Sequence, residues 1–185
     1  MAKPVTVPDY YQTVLGSLRQ IPWIKTAESY PQTLTNLSTP AVFLSLKGWT
    51  PGSRDTSGQI SIVLSGEMLV LTDRSASSPD VAVQGYAAEL TQWLAGQQFG
   101  LEGVEPAVFT SAAPYSPETD TTVPALNEYA TWAVNFTQDV TVGADPLAYD
   151  GAPLRQAWLG CAPETGSDHI DDYQLVYGNK EGRNG

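Results

Sequence analysis

The residues best suited to chemistry lie in one short stretch near the C-terminus. His169, the only histidine, stands between Asp168 and the pair Asp171 and Asp172. Carboxylates bind hard cations, and a histidine beside a carboxylate suits a transition metal. The spacing does not match a calcium loop of the EF-hand type. We therefore predict no metal site and interpret the stretch as a polar segment whose carboxylates face water or accept hydrogen bonds from backbone amides.

A small hydrolase centred on His169 is the enzyme hypothesis that these residues leave open. A nucleophilic mechanism needs a serine or cysteine beside a base, but the sequence contains no Gly-x-Ser-x-Gly elbow. Cys161, the only cysteine, lies in Cys-Ala-Pro-Glu, where no activating group is evident, so we predict a small buried hydrophobic residue there. Phosphate-binding glycine motifs are also missing. We predict a protein that is not an enzyme, with no catalytic residues and no cofactor.

Charge is distributed unevenly along the 185 residues, whose formal net charge is −11. Residues 1–74 carry six basic and five acidic side chains, whereas residues 75–185 carry three basic and fifteen acidic ones. Binding to nucleic acid requires cations that neutralise phosphates, and most of this chain has none to offer. An acidic surface repels DNA, so DNA could pass along it without specific binding.

A low charged fraction and many aromatic residues favour contact with other proteins. Only 16% of the residues are charged, below the roughly 25% of an ordinary soluble domain. Exposed aromatic side chains can anchor a protein interface or stack on sugars, so a carbohydrate-binding or adhesion module using exposed Trp and Tyr is the alternative function. Ten residues are our interface candidates: Trp49, Arg54, Asp55, Tyr149, Trp158, Asp168, His169, Asp171, Asp172 and Tyr173.

Hydrophobic spacing predicts the elements that must position these residues. A helix is expected near residues 8–20, and strands at 41–49 and 59–73 are expected to form a long hairpin with its tip at 50–58. Gly66 interrupts the alternation of the second strand and predicts a bulge there. Ser78 is the expected N-cap of a second helix, whose apolar stripe is Val83, Tyr86, Ala87, Leu90, Trp93 and Leu94. Trp23 to Tyr30 and Glu105 to Tyr115 are further candidate strands.

The clearest strand pattern covers residues 129–143, where apolar and polar residues alternate over the whole segment. Hairpins dominate and no regular βαβ repeat is present, which predicts an α+β fold with an antiparallel sheet and two helices packed on one face. Residues 1–143 are the expected core domain. Residues 144–185, rich in Pro, Gly and Asp, are the expected extended C-terminal arm with one short strand. No apolar stretch is long enough to cross a bilayer, so no membrane partner is expected.

The last strand of the core resembles the closing strand of tail terminator or tail-completion proteins of long-tailed bacteriophages. The resemblance rests on Trp132-Ala-Val-Asn-Phe-Thr-Gln-Asp-Val-Thr-Val-Gly143 and on the acidic stretch Ala162-Pro-Glu-Thr-Gly-Ser-Asp-His-Ile-Asp-Asp-Tyr173, which is similar to that of myophage members. The order of helices and strands over residues 8–173 also agrees.

This resemblance implies a virion structural protein made in the host cytoplasm. Such proteins form homo-oligomeric rings, commonly hexamers, at the head-proximal end of the tail. The ring stops growth of the tail tube and joins the tail to the neck. The implied partners are other copies of the chain, the tail-tube protein, possibly the sheath protein, and a neck or connector protein. Another neck or tail-completion component is a second alternative.

Overall fold

The computed structural model describes residues 5–30, 37–52, 59–75, 77–115, 126, 128–143, 156–163 and 165–177. The chain divides into two compact units, Met1–Ala148 and Tyr149–Gly185. The first unit contains two helices and a five-stranded sheet, which confirms the predicted α+β fold. No helix in the described ranges is long and apolar enough to span a membrane.

Helix α1, Val7–Leu18, begins where the sequence predicts a helix, and local contacts stabilise its N-terminal end. The side chain of Thr6 accepts a hydrogen bond from the backbone N–H of Asp9 at 3.2 Å, and Asp9 in the first turn complements the positive end of the helix. The buried face consists of Tyr10, Val14 and Leu18.

Helix α2, Pro79–Leu94, packs through Val83, Ala87, Leu90 and Leu94. This is the predicted apolar stripe, with Tyr86 and Trp93 at its margin. The capping prediction is wrong in one respect. Ser78 occupies the N-cap position in a left-handed conformation (φ 56°), and its hydroxyl makes no capping hydrogen bond. Pro79 and Asp80 at the start of the helix therefore stabilise it in place of a side-chain cap.

The sheet consists of β1 (Thr26–Ser29), β2 (Ala41–Pro51), β3 (Ile60–Asp73), β4 (Val108–Pro114) and β5 (Tyr129–Val142). Their spatial order is β1-β2-β3-β5-β4, and β2, β3, β5 and β4 pair antiparallel as predicted. Strand β1 departs from the prediction because it pairs parallel to β2. The eleven residues 30–40 between the two strands give the chain room to cross over rather than turn back as a hairpin.

Both helices lie on one face of the sheet, where the main core forms. The alternation predicted for β5 is confirmed, since Val134, Phe136 and Val140 face this core while Asn135, Thr137 and Asp139 face the other side. A smaller cluster covers part of the opposite face and includes Phe43, Leu69, Leu71 and Leu126. The helices thus cover one face, and half of the other face keeps a polar surface.

The predicted bulge occurs on the neighbouring strand. Strand β3 pairs with β5 without a break from Ile60 to Asp73, whereas the register of β2 shifts between Leu46 and Gly48. Gly66 has a different role: a Cβ there would lie 2.3 Å from the ring of Phe136. Its hydrogen side chain leaves room for the ring directly over the backbone.

The second unit is a small two-stranded sheet. Strands β6 (Ala157–Leu159) and β7 (Gln174–Tyr177) pair antiparallel, and a 3₁₀ helix, Ser167–Asp172, lies between them in the chain. The sequence therefore predicted one short strand where the structure has two. A two-residue periodicity is hard to recognise in strands of three and four residues, because such strands contain at most two alternations.

Candidate functional site

The segment around His169 contains a solvent-exposed contact between the imidazole and a carboxylate in the second unit. The Nδ1 atom of His169 lies 3.1 Å from Oδ2 of Asp172, and the side chains are 43% and 57% exposed. Asp168 and Asp171 belong to the same 3₁₀ helix. The described residues contain no group of three or more His, Cys, Asp or Glu side chains that could hold a metal ion. An exposed pair of this kind contributes little to stability and has no shielded space for chemistry.

Cys161 is exposed, so the prediction that it is buried is wrong. It follows β6 at the start of a turn, and none of the described residues of the second unit whose side chains are placed is buried, so they form no core that could enclose the thiol. Its neighbours in a shallow recess are Leu159, Asp172 and Gln174. Among these neighbours, the carboxylate of Asp172 is the only group that could accept a proton from the thiol. This setting suits a surface role for Cys161 better than nucleophilic catalysis.

A second recess lies between the C-terminal ends of the two helices. Gln20, Ile21, Trp93, Gln97 and Phe99 contribute to its walls, and none of its lining side chains is titratable under ordinary conditions. Trp93 and Phe99 stack at 5.8 Å between ring centroids, so the recess is the outer margin of the core. Acid–base or nucleophilic chemistry would need groups that this recess does not contain.

The tryptophan side chains differ in how much of their surface is exposed to solvent. Trp23 stacks on Tyr86 with ring centroids 4.6 Å apart, and Trp132 packs against the main core. Trp158 is half-buried in β6, where its indole N–H donates to Gln156 at 3.4 Å. Trp49 is the exception among these, with 60% of its surface exposed.

The predicted interface residues are distributed over both units. Trp49 belongs to β2, whereas Trp158 and the segment from Asp168 to Tyr173 belong to the second unit. The hydroxyl of Tyr173 accepts a hydrogen bond from the backbone N–H of Gly166 at 2.9 Å, which gives this residue a role in the fold of its own segment. Three further candidates, Arg54, Asp55 and Tyr149, lie outside the described residues.

An apolar patch occupies the end of the β2–β3 hairpin on the helix side of the sheet. Trp49 is paired with Leu64, and Pro51 with Ile62, so these side chains share the face of the main core. Ile60 lies on the same face and is 66% exposed. We call Trp49, Pro51 and Ile60, together with the half-buried Ile62 and Val142, the hairpin-end patch. The sequence pointed to Trp49, but only the register shows that it shares one face with Ile60, with Pro51 and Ile62 between them.

The two outer strands of the sheet differ in how open they are. All seven residues of β4 are exposed, including Val108 at 59% and Phe109 at 39%. The sequence predicts a strand at Glu105 to Tyr115 with Ala107, Val108 and Phe109 at its centre, and β4 lies within that range. Of these three residues only Ala107, just before β4, is buried. A strand of Val, Phe and Ala at the edge of a sheet has the same local pattern as a central one.

A half-buried ion pair accompanies the bulge of β2. The ammonium group of Lys47 lies 2.8 Å from Oε1 of Glu67, a contact that is ionic although its angles are not those of a hydrogen bond. The same ammonium lies 5.8 Å from the ring centroid of Tyr30. Lys47 is half exposed and the side chain of Glu67 is largely buried. The ammonium group therefore supplies the opposite charge that a buried carboxylate needs.

A buried polar network ties α1 to β5 and was not predicted from the sequence. The hydroxyl of Tyr10 donates to Oε1 of Gln138 at 2.5 Å. The amide group of Gln138 donates to the backbone carbonyls of Gln97 at 2.9 Å and Glu105 at 2.7 Å. Gln138 is only 1% exposed. One signal was available in the sequence, because Gln138 is the single polar residue on the apolar face of the β5 pattern.

Burial raises the pKa of Tyr10 above its usual value, because the charged phenolate would lose its hydration. The neutral phenol is present in both states below about pH 10, the ordinary tyrosine pKa. Above that pH the unfolded chain ionises at this position and the folded chain does not, so stability falls as the pH rises. We expect Tyr10→Phe to reduce the slope of unfolding free energy against pH, by the equivalent of roughly half a proton at pH 10 and most of one proton at pH 11. Equal slopes for the two proteins would contradict the assignment.

Within the part of the chain that the structure describes, the exposed apolar features of the first unit include the hairpin-end patch and strand β4. No known protein family matches the sequence, and no curated protein matches it.

Proposed function

We propose that the protein is a structural subunit of a bacteriophage virion, a tail terminator that forms a homo-oligomeric ring at the head-proximal end of the tail. The ring stops growth of the tail tube and joins the tail to the neck. The observation that carries this proposal is the hairpin-end patch, an exposed apolar surface that contains Trp49, Pro51 and Ile60.

Exposed apolar surface of this kind favours association. Isolated exposed apolar residues are normal, but Trp49, Pro51 and Ile60 are neighbours on one face and have half-buried apolar residues beside them. Tryptophan is also the side chain most often found at the energetic centre of an interface. A neighbouring subunit that covers the patch would remove this surface from water at about 25 cal/mol per Å².

The charge distribution is compatible with a ring through which DNA passes. The strong negative charge begins after residue 74, and the chain has no Lys or Arg between Arg74 and Arg155. Phosphates would meet few cations on such a surface, so DNA would move past without specific binding. The proposed partners are other copies of the chain, the tail-tube protein, possibly the sheath protein, and a neck or connector protein.

A carbohydrate-binding module remains the second candidate. Sugars stack on exposed aromatic rings, and Trp49 offers one such ring. Three other tryptophan side chains pack within the first unit and so are not free to stack on sugars: Trp23, Trp93 and Trp132. This observation disfavours the alternative. Titration with a panel of glycans while tryptophan fluorescence is recorded separates the two candidates, because a binding module responds to a glycan and a ring subunit does not.

The ring is tested by solution mass and by negative-stain imaging of the purified protein. We expect an assembly near six times the 19.8 kDa of one chain, with a central opening. We expect Trp49→Ser combined with Ile60→Ser to weaken assembly at least thirtyfold, because a residue at the centre of an interface contributes about 2 kcal/mol or more. Val81→Ser, which changes an exposed apolar residue of α2, is the matched control and leaves assembly unchanged.

A ring that fails to bind purified tail-tube protein would contradict the terminator assignment while leaving ring formation intact. A monomer at all concentrations, with no tail-tube binding, would contradict both parts of the proposal. Far-ultraviolet circular dichroism of each variant confirms that the fold is kept, so that a loss of assembly is not a loss of structure.

A further inference from the structure

Strand β4 is an open edge of the five-stranded sheet. It pairs with β5 on one side, and all its residues are exposed. No charged residue occurs from Pro106 to Pro117. Natural proteins usually protect such an edge with charges, a bulge or a covering segment, because its unpaired N–H and C=O groups attract another strand. The register of β4 shifts once, between Phe109 and Ser111, so the regular part of this edge is Ser111–Pro114.

The opposite edge of the sheet is protected. Strand β1 has only four residues and includes the charged Glu28. The guanidinium group of Arg19 donates two hydrogen bonds to the backbone carbonyl of Ala27, at 3.2 and 2.9 Å. Within the described ranges, β4 is therefore the edge at which another strand can be added.

The register identifies which backbone groups of β4 point outward. The backbone N–H of Tyr115 donates to the carbonyl of Thr131, so this pair bonds directly across the ladder. Bonded and non-bonded pairs alternate in an antiparallel ladder, which turns the N–H and C=O groups of Ala112 away from β5. Pro114 has no N–H, so strand addition ends there.

We propose that β4 pairs with β4 of a second copy of the chain, antiparallel and about a twofold axis near Ala112. A contact that uses the same surface on both partners must be symmetric in this way. The centre of the strand, Ser111-Ala112-Ala113, is small enough for the two backbones to approach. In a chain of net charge −11, an uncharged strand is also the part that meets its own copy without repulsion.

This contact is independent of the proposed ring. A cyclic ring joins two different surfaces of each subunit, whereas the β4 contact joins one surface to itself. The ring is tested at the hairpin-end patch, and the twofold contact is tested at β4. Failure of either leaves the other unaffected.

Cysteine crosslinking tests the twofold axis directly. In the full chain with Cys161→Ser, Ala112→Cys places two thiols opposite each other, about 5.5 Å apart between Cα atoms, which a disulfide can bridge. We expect rapid formation of a covalent dimer with oxidised glutathione. Val108→Cys lies four residues from the axis, so the two copies are separated by roughly 27 Å and should not crosslink. Val81→Cys is the control for random collision.

A second variant tests the contact without a thiol. Ala112→Pro removes the outward N–H but no hydrogen bond to β5, so we expect at least a tenfold weaker dimer by analytical ultracentrifugation with an unchanged circular dichroism spectrum. Crosslinking no faster at Ala112 than at Val81 would overturn the inference. An assembly whose mass and affinity do not respond to Ala112→Pro would overturn it as well, whether or not that assembly is a ring.

Discussion

Replacing Gln138 by leucine is expected to lower the free energy of unfolding by about 3 kcal/mol. The substitution keeps the volume nearly constant but removes the acceptor of the Tyr10 hydroxyl and the donor to two backbone carbonyls. The carbonyl of Gln97 keeps a bond from the N–H of Ala107, so the phenol and the carbonyl of Glu105 lose most. Each buried polar group left unpaired costs about 1–3 kcal/mol. Urea unfolding, monitored by circular dichroism, measures the change.

Gln84→Leu is the matched control, because Gln84 is exposed on α2 and the same chemical change should shift stability by less than about 0.5 kcal/mol. A double-mutant cycle with Tyr10→Phe isolates the bond between the two side chains. Tyr10→Phe should cost about 1 kcal/mol in the wild-type protein and little when Gln138 is already leucine. If Gln138→Leu and Gln84→Leu changed the free energy of unfolding by similar amounts, the buried network would have no special role in stability.

Gly66→Ala is expected to destabilise the fold by about 2 kcal/mol, against the usual preference of strands for residues other than glycine. The added methyl would lie 2.3 Å from the Phe136 ring, which is 1% exposed and has no free space to move into. Overpacking of a close-packed core costs about 1–3 kcal/mol, and this exceeds what alanine gains over glycine in backbone entropy. Thermal unfolding followed by calorimetry measures the difference.

Partial rescue by a smaller partner distinguishes this steric cause from a backbone effect. In a Phe136→Leu background the methyl of alanine gains space, so Gly66→Ala should cost at least 1 kcal/mol less there than in the wild-type protein. Gly85→Ala is the control, since a Cβ at this position of α2 meets no atom within 4 Å and alanine favours a helix. An equal cost of Gly66→Ala in both backgrounds would exclude the ring of Phe136 as the cause.

Much of the fold could be predicted from local patterns. The stripe of α2 and the alternation of β5 were correct because each element repeats its period several times. Strands β6 and β7 contain only three and four residues, which explains why only one of them was expected. The direction of β1 depends on how the chain crosses between β1 and β2, and no local periodicity encodes that path.

The candidate surfaces were less accessible to sequence reasoning. Trp49 was a candidate because of its residue type, but Ile60 was not, since the two residues come to share one apolar patch only through the pairing of β2 with β3. The exposure of Phe109 could not be predicted for the same reason: exposure at a sheet edge depends on which strands are adjacent, not on the residues within one strand.

The sequence by itself determined the helices, the faces of the long strands and the uneven charge, because periodicity and composition are local properties that each segment carries with it. The tertiary structure decided the strand order, the site of the bulge, the open edge at β4 and the network around Gln138. These depend on pairing between distant segments, where Tyr10 meets a glutamine 128 residues away. The physical reason is that hydrogen bonds and close packing between such segments exist only after the whole sheet has assembled.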